Sequence, residues 1–184
     1  TQQKHAKPHV ITRLDQDTSG LVLLGKASLA HAMLSRFEQQ EFQKNYQAVV
    51  HGEFTDTTPE LISAPIKKVG ATVRHEVNPT GKQAVTEVTL VQNFHNSALV
   101  KLRLFTGRTH QIRVHMAYTQ HPLFGDQLYG IADGFERQAL HCYALTFKDP
   151  FTNTTRHFEV PLPHDIQKLI KRLEADKNET DGRT

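Results

Sequence analysis

Apolar and polar positions along much of this chain alternate with a period of two. In residues 10–15, VITRLD, Val10, Thr12 and Leu14 oppose Ile11, Arg13 and Asp15, which predicts a strand. DTSG (17–20) predicts a turn, because Asp, Ser and Gly supply side-chain bonds to the backbone and tolerate positive φ. LVLLGK (21–26) reads as a short apolar strand. The period then changes. Ala30, Met33, Leu34 and Phe37 recur at helical spacing behind Ser28, which fits an N-cap, and predict a helix to about Gln40. Residues 44–52 return to strand, and residues 83–91 and 98–105 predict a hairpin with His95 and Asn96 at its turn. In its second strand Val100, Leu102 and Leu104 point one way, Lys101 and Arg103 the other. Residues 53–81, with Pro59, Pro65, Pro79 and Gly70, read as irregular.

TGRTHQIRVHMAYT (106–119) predicts a turn entering a helix capped by Thr109. Residues 140–148 and 156–160 predict two more strands. Residues 163–173 predict a helix buried on Ile166, Leu169, Ile170 and Leu173. Many strands with few intervening helices predict an α+β fold with a mainly antiparallel, mixed central sheet and flanking helices. Residues 1–175 are expected to form one domain, and residues 176–184 a polar tail that frays.

Composition narrows the function. The 184 residues hold no apolar run near the ~20 of a membrane helix, and no signal-peptide pattern opens the chain. A single cysteine, Cys142, excludes a disulfide framework and a cysteine-based zinc site. These features predict a cytoplasmic location without a membrane partner. The net charge is only +3, but residues 88–125 contain no Asp or Glu. That window carries Lys101, Arg103, Arg108 and Arg113 with His95, His110, His115 and His121, a field suited to phosphates.

The candidate chemistry begins at RLDQDTSG (13–20). Asp15, Asp17 and Ser19 match the start of a calcium loop, but its twelfth position needs a bidentate Glu and here is Lys26. Asp-x-Asp-x-Ser also resembles the first motif of haloacid-dehalogenase-type phosphatases. That motif ends a buried parallel strand, which Thr12 and Arg13 do not suit. The third reading is a lone reactive carboxylate, Asp15, kept ionised by Arg13 on the same strand face, with Asp17 making the turn. An Arg–Asp surface pair beside a tight turn is the plain alternative. His110 and His115, five apart without a carboxylate between them, do not form a zinc motif.

RLDQDTSGLVLLGK closely resembles the signature of the RluA-type pseudouridine synthases. Further landmarks follow in order: Lys44-Asn45-Tyr46-Gln47-Ala48, Gly81-Lys82-Gln83-Ala84-Val85-Thr86, residues 106–115 (TGRTHQIRVH), Gly125-Asp126, Tyr129-Gly130 and Arg137-Gln138-Ala139-Leu140-His141. The resemblance implies the pseudouridine synthase catalytic fold and an RNA substrate, rRNA (large-subunit above all) or tRNA. It implies isomerisation of a flipped-out uridine without cofactor or metal. It assigns Asp15 as nucleophile, toward sugar or base, Tyr46 as the active-site aromatic, and Arg108 as an ion-pair partner of Asp15 or of a phosphate. Arg13, by the same resemblance, fills the space left by the flipped base. Thr18, Lys101 and Arg103 are expected RNA contacts, His110 an RNA contact or a structural residue, and Arg113 a phosphate contact or a structural residue. His141 is expected to be structural or an RNA contact, and Cys142 a small buried strand residue.

Two departures stand out. Thr12 occupies the family's usual His position, and Cys142 a common Ala position. The family's early strand is missing from this sequence, so the domain is expected to be truncated at its N-terminus and its sheet to lack a strand. A monomer is favoured. The rival readings are a non-catalytic RNA-binding module of the same fold and a phosphatase.

Overall fold

The computed structural model describes residues 8–26, 42–55 and 59–181. The helix expected over residues 28–40 lies outside them. Two short strands, β1 (His9–Val10) and β3 (Leu24–Gly25), pair antiparallel and flank the turn that carries Asp15. Between them β2 (Ser19–Gly20) enters the main sheet. That sheet is built on β4 (Phe42–His51), β8 (Val85–Phe94), β9 (Ser97–Leu104) and β10 (Leu140–Lys148), with β5 (Glu60–Ser63) and β11 (Thr155–Glu159) outside them. Its order is β11-β10-β4-β9-β8-β5, antiparallel throughout, and β2 adds a parallel pairing to the start of β10. The mixed, mainly antiparallel sheet is therefore as expected.

Period-two alternation decides what each face of the sheet buries. On β4, Tyr46, Ala48 and Val50 join Ala98, Val100 and Leu102 of β9 in one core. Helix α1 (Gln111–Tyr118) covers that core with Ile112 and Met116. Val49 and Leu99 face the opposite way and meet Ile166, Leu169 and Leu173 of α2 (His164–Asp181). Each face thus has its own helix.

Several elements differ from the sequence reading. The first strand stops at Val10, and Ser19–Gly20 is sheet rather than turn. Residues 53–81 contain β5 and a small hairpin of β6 (Ile66–Lys68) and β7 (His75–Val77). Three-residue strands carry too little alternation to stand out between prolines. Helix α2 runs to Asp181, well into the expected tail. Residues 174–179, EADKNE, include good helix formers, and Lys177 Nζ donates to the Asn93 carbonyl at 3.0 Å.

Helix α1 is buried on six of its eight residues, so its polar side chains must find partners inside. Gln111 Nε2 donates to Val85 O and Thr86 Oγ1, and its Oε1 accepts from Thr106 Oγ1 and the Arg108 N–H. His115 bonds Thr86 Oγ1 through Nδ1 and Ala64 O through Nε2, both at 2.9 Å. The cap is not Thr109 but His110, at φ 55° with no side-chain cap bond. Gln111 instead folds back over the first turn.

Burial pushes the His115 imidazole below its ordinary range, and does the same to His110 and His141. An unfolded chain takes up these protons near pH 6.5, whereas the folded chain resists them. The unfolded state then binds more protons, so stability is full above about pH 7 and falls as pH drops below the unfolded value. The urea midpoint is expected to fall between pH 7.5 and 5.5, and to fall less in His115→Asn. An equal fall in both proteins would show that the folded chain protonates His115 as readily as the unfolded chain does.

Candidate active site

Asp15 sits on a β-turn closed by a bond from the Thr18 N–H to its own carbonyl, 3.1 Å. Asp17 holds the third position at φ 67°, a conformation its short polar side chain tolerates. The turn is fixed from a distant segment. Gln138 Nε2 donates to Gln16 O and to Thr18 Oγ1, and Arg137 Nη1 donates to Asp17 O at 3.0 Å. Arg137 is held in turn by Asp165 at the start of α2, with Nε to Oδ2 at 2.7 Å. Ser19 Oγ bonds His141 Nδ1 at 2.9 Å. Gly20 completes the anchor: at φ 123° it lies so close to β10 that a Cβ would sit 2.2 Å from Cys142 O.

Thr12 is 2% exposed, and its Oγ1 accepts the Leu23 N–H at 2.9 Å. The hydroxyl ties the approach to the turn onto the strand leaving it. The residue in the family's His position therefore makes a backbone contact.

The turn faces a cavity of about 370 Å³. Arg13, Asp15 and Thr18 line it from the turn, Lys44 and Tyr46 from β4, and Arg108 and His110 from the loop before α1. Of the nine expected site residues, six thus meet in one place. No ion pair joins Asp15 to Arg13 or Arg108 among the described residues; Arg108 Nε donates to Gln83 O at 2.9 Å. The expected Arg13–Asp15 pairing fails because the strand ends before either residue.

Tyr46 is 5% exposed and lies opposite Cys142 in the β4–β10 pairing. Burial, with the neighbouring Cys142 and Asp15, raises its hydroxyl well above the ordinary phenol range, so it stays protonated. Burial also pushes the Cys142 thiol to about 11. Burial lowers the Lys44 ammonium, opposed by Cys142 and Asp15. Lys44, in the KNYQA segment, lines the cavity as well. Its signal was available, since it stands two before Tyr46 and strand residues i and i+2 share a face. Arg137 and Gln138 stand in a landmark of the resemblance, but no spacing links them to the turn they hold, about 120 residues away.

The other three expected contacts lie elsewhere. Arg113 is 7% exposed and forks onto Asp126, Nε to Oδ2 and Nη2 to Oδ1, each 2.7 Å. Two of its donors are thus committed inside the protein. Lys101 and Arg103 pair with Gln47 and Asn45 of β4, out of phase with Tyr46 and therefore on the opposite sheet face. There Lys101 lies over the Tyr143 ring and Arg103 over Phe105.

The family model described as RNA pseudouridylate synthase matches residues 1–118. The chain belongs to this family. The matched span includes both the Asp15 turn and Arg108. Among relatives, an RNA pseudouridine synthase of Bacillus subtilis, YjbO, is 43% identical over 90% of the chain and 59% of the relative. The ribosomal large subunit pseudouridine synthase D of Vibrio cholerae is 39% identical over 91% of the chain and 56% of the relative. The likeness to these two places the chain among the RluA-type pseudouridine synthases. The chain spans a little over half the length of these curated relatives. A solved structure, human RNA pseudouridylate synthase domain containing 1, superposes with a TM-score of 0.74 at 22% identity, covering 94% of this chain and 82% of that one. It shows the same fold. No helix among the described residues is long and apolar enough to cross a membrane.

Proposed function

We propose that the protein isomerises uridine to pseudouridine in RNA, with Asp15 as the nucleophile. One observation carries this reading: three segments distant in sequence bring Asp15, Tyr46 with Lys44, and Arg108 around one cavity. Family membership supplies the reaction class. The N1–C1′ bond breaks, the base turns, a C1′–C5 bond forms, C5 loses a proton and N1 gains one. Atoms balance without a co-reactant, so one carboxylate suffices where a glycosidase needs two. The carboxylate adds to sugar or base and leaves unchanged.

Flipping the uridine out costs about a few kcal/mol, and stacking on an aromatic face returns roughly 1–3 kcal/mol. Tyr46 provides that face. Its raised hydroxyl makes it a donor at neutral pH, not a phenolate base. Arg108 and Arg13 add positive charge at the mouth, where the RNA backbone enters. The name of the Vibrio relative favours large-subunit rRNA as target, and such a target favours a cytoplasmic location.

The test is nucleoside analysis of a large-subunit rRNA transcript incubated with the protein in EDTA. The expected result is pseudouridine at discrete positions. Release of free uracil or of phosphate, with no pseudouridine, would instead indicate a glycosidase or a phosphatase.

The clamp on the turn gives a second expectation. Gln138→Ala removes both side-chain bonds to Gln16 and Thr18 without substituting any residue that lines the cavity. A displaced carboxylate loses near-attack geometry, so kcat is expected to fall about 10–100-fold with KM little changed. An unchanged kcat would mean that the turn holds its shape unaided.

A further inference from the structure

Beside the Asp15 cavity lies a second groove, of about 430 Å³. The two share Gly107, Arg108 and Thr109, so the loop before α1 is the wall between them. The groove is lined by Lys67 and Lys68 of β6, His75 of β7, and Lys82 after the hairpin. Among the described residues, no carboxylate lines it. The hairpin's own acid, Glu76, pairs with Lys67 in register, and its Oε1 accepts from Asn78 Nδ2. Lys67 Nζ donates to Thr80 Oγ1 at 2.9 Å, which holds it on the rim. The backbone here is closely paired: Ile66 and Lys82 exchange both backbone bonds, and at Gly81 a Cβ would meet the Ile66 carbonyl carbon at 2.5 Å.

We propose that this groove is a phosphate subsite, holding the RNA backbone next to the reacting nucleotide. The inference rests on the pseudouridine synthase reading. A flipped base leaves its sugar and both flanking phosphates at the cavity mouth. Arg108 stands at the crossing, with its Nε fixed on Gln83 O and its charge facing both spaces. Three lysines gathered without an acid among the lining residues suit successive phosphodiesters, a charge repeat no neutral ligand offers. The subsite adds affinity and register but touches no reacting atom.

The test compares three proteins on a large-subunit rRNA transcript: wild type, Lys67→Ala/Lys68→Ala/Lys82→Ala, and Lys168→Ala/Lys171→Ala/Arg172→Ala. The last removes equal charge from exposed positions on α2, which packs on the other sheet face. Binding is measured across salt concentrations, together with kcat and KM for pseudouridine formation. The groove variant is expected to flatten the log K against log salt slope by about 2, at ~0.7 per phosphate contact on a single strand. Its KM rises about tenfold or more, and its kcat stays within about twofold. The α2 variant keeps the wild-type slope. An unchanged slope in the groove variant, or an equal loss in the α2 variant, would overturn the subsite. Wild type that binds RNA yet forms no pseudouridine would overturn the enzymatic reading, while the slopes still decide the groove. Wild type that does not bind RNA would overturn both.

Discussion

Asp126→Ala is expected to destabilise the protein by about 3–5 kcal/mol, a large share of a typical domain's stability. Asp126 is 1% exposed, and its carboxylate accepts four hydrogen bonds. It accepts two bonds from Arg113 and the backbone N–H groups of Leu128 and Tyr129. Burial alone would raise its carboxyl; the Arg113 guanidinium overrides that and holds it below the usual range. Alanine leaves a buried guanidinium without its counter-charge and two N–H groups without an acceptor. Arg113 also lies over the Tyr129 ring, and Tyr129 OH bonds His110 Nδ1 at the cavity, so the loss reaches the site. Urea unfolding measures it. The double variant Arg113→Met/Asp126→Leu is expected to be more stable than Asp126→Ala, because both charges leave together. A loss below about 1 kcal/mol for Asp126→Ala would mean that water reaches Arg113.

The sequence revealed the long elements because a strand such as β9 repeats its alternation over enough residues to be seen. Val100 and Leu102 did turn inward and Lys101 outward. What it hid was pairing between distant segments. Nothing in Ser19–Gly20 says that it lies parallel to β10, since that pairing depends on a glycine meeting the Cys142 backbone. Likewise Thr109 looked like a helix cap, but the buried Gln111 side chain satisfied the loop and left His110 in the left-handed region.

The site was legible where a motif coincides with a cavity. Residues 106–115 show the limit. Arg108 and His110 reach the cavity, whereas Arg113 and His115 turn inward to Asp126 and to Thr86. A run of basic residues on a short helix looks like a phosphate-binding face. Only the fold shows which cations already have partners. Lys101 and Arg103 share a charge window with Arg108 but lie on the other face of the sheet from Tyr46.

On the proposed function, the turn presents Asp15, and not Asp17, as the nucleophile. Asp15→Asn preserves side-chain size, and the turn survives it, because the bond that closes the turn uses the Asp15 backbone carbonyl. It removes the charge and with it the nucleophile, so conversion is expected to fall at least ~10³-fold with RNA affinity retained. Asp17→Asn keeps a residue type that favours positive φ, and is expected to stay near wild type. The deciding measurement is single-turnover pseudouridine formation by wild type, Asp15→Asn and Asp17→Asn on the same rRNA transcript, with binding followed in parallel. Loss in Asp15→Asn alone, with RNA still bound, is the expected result; a wild-type rate in Asp15→Asn, or equal loss in Asp17→Asn, would contradict the account.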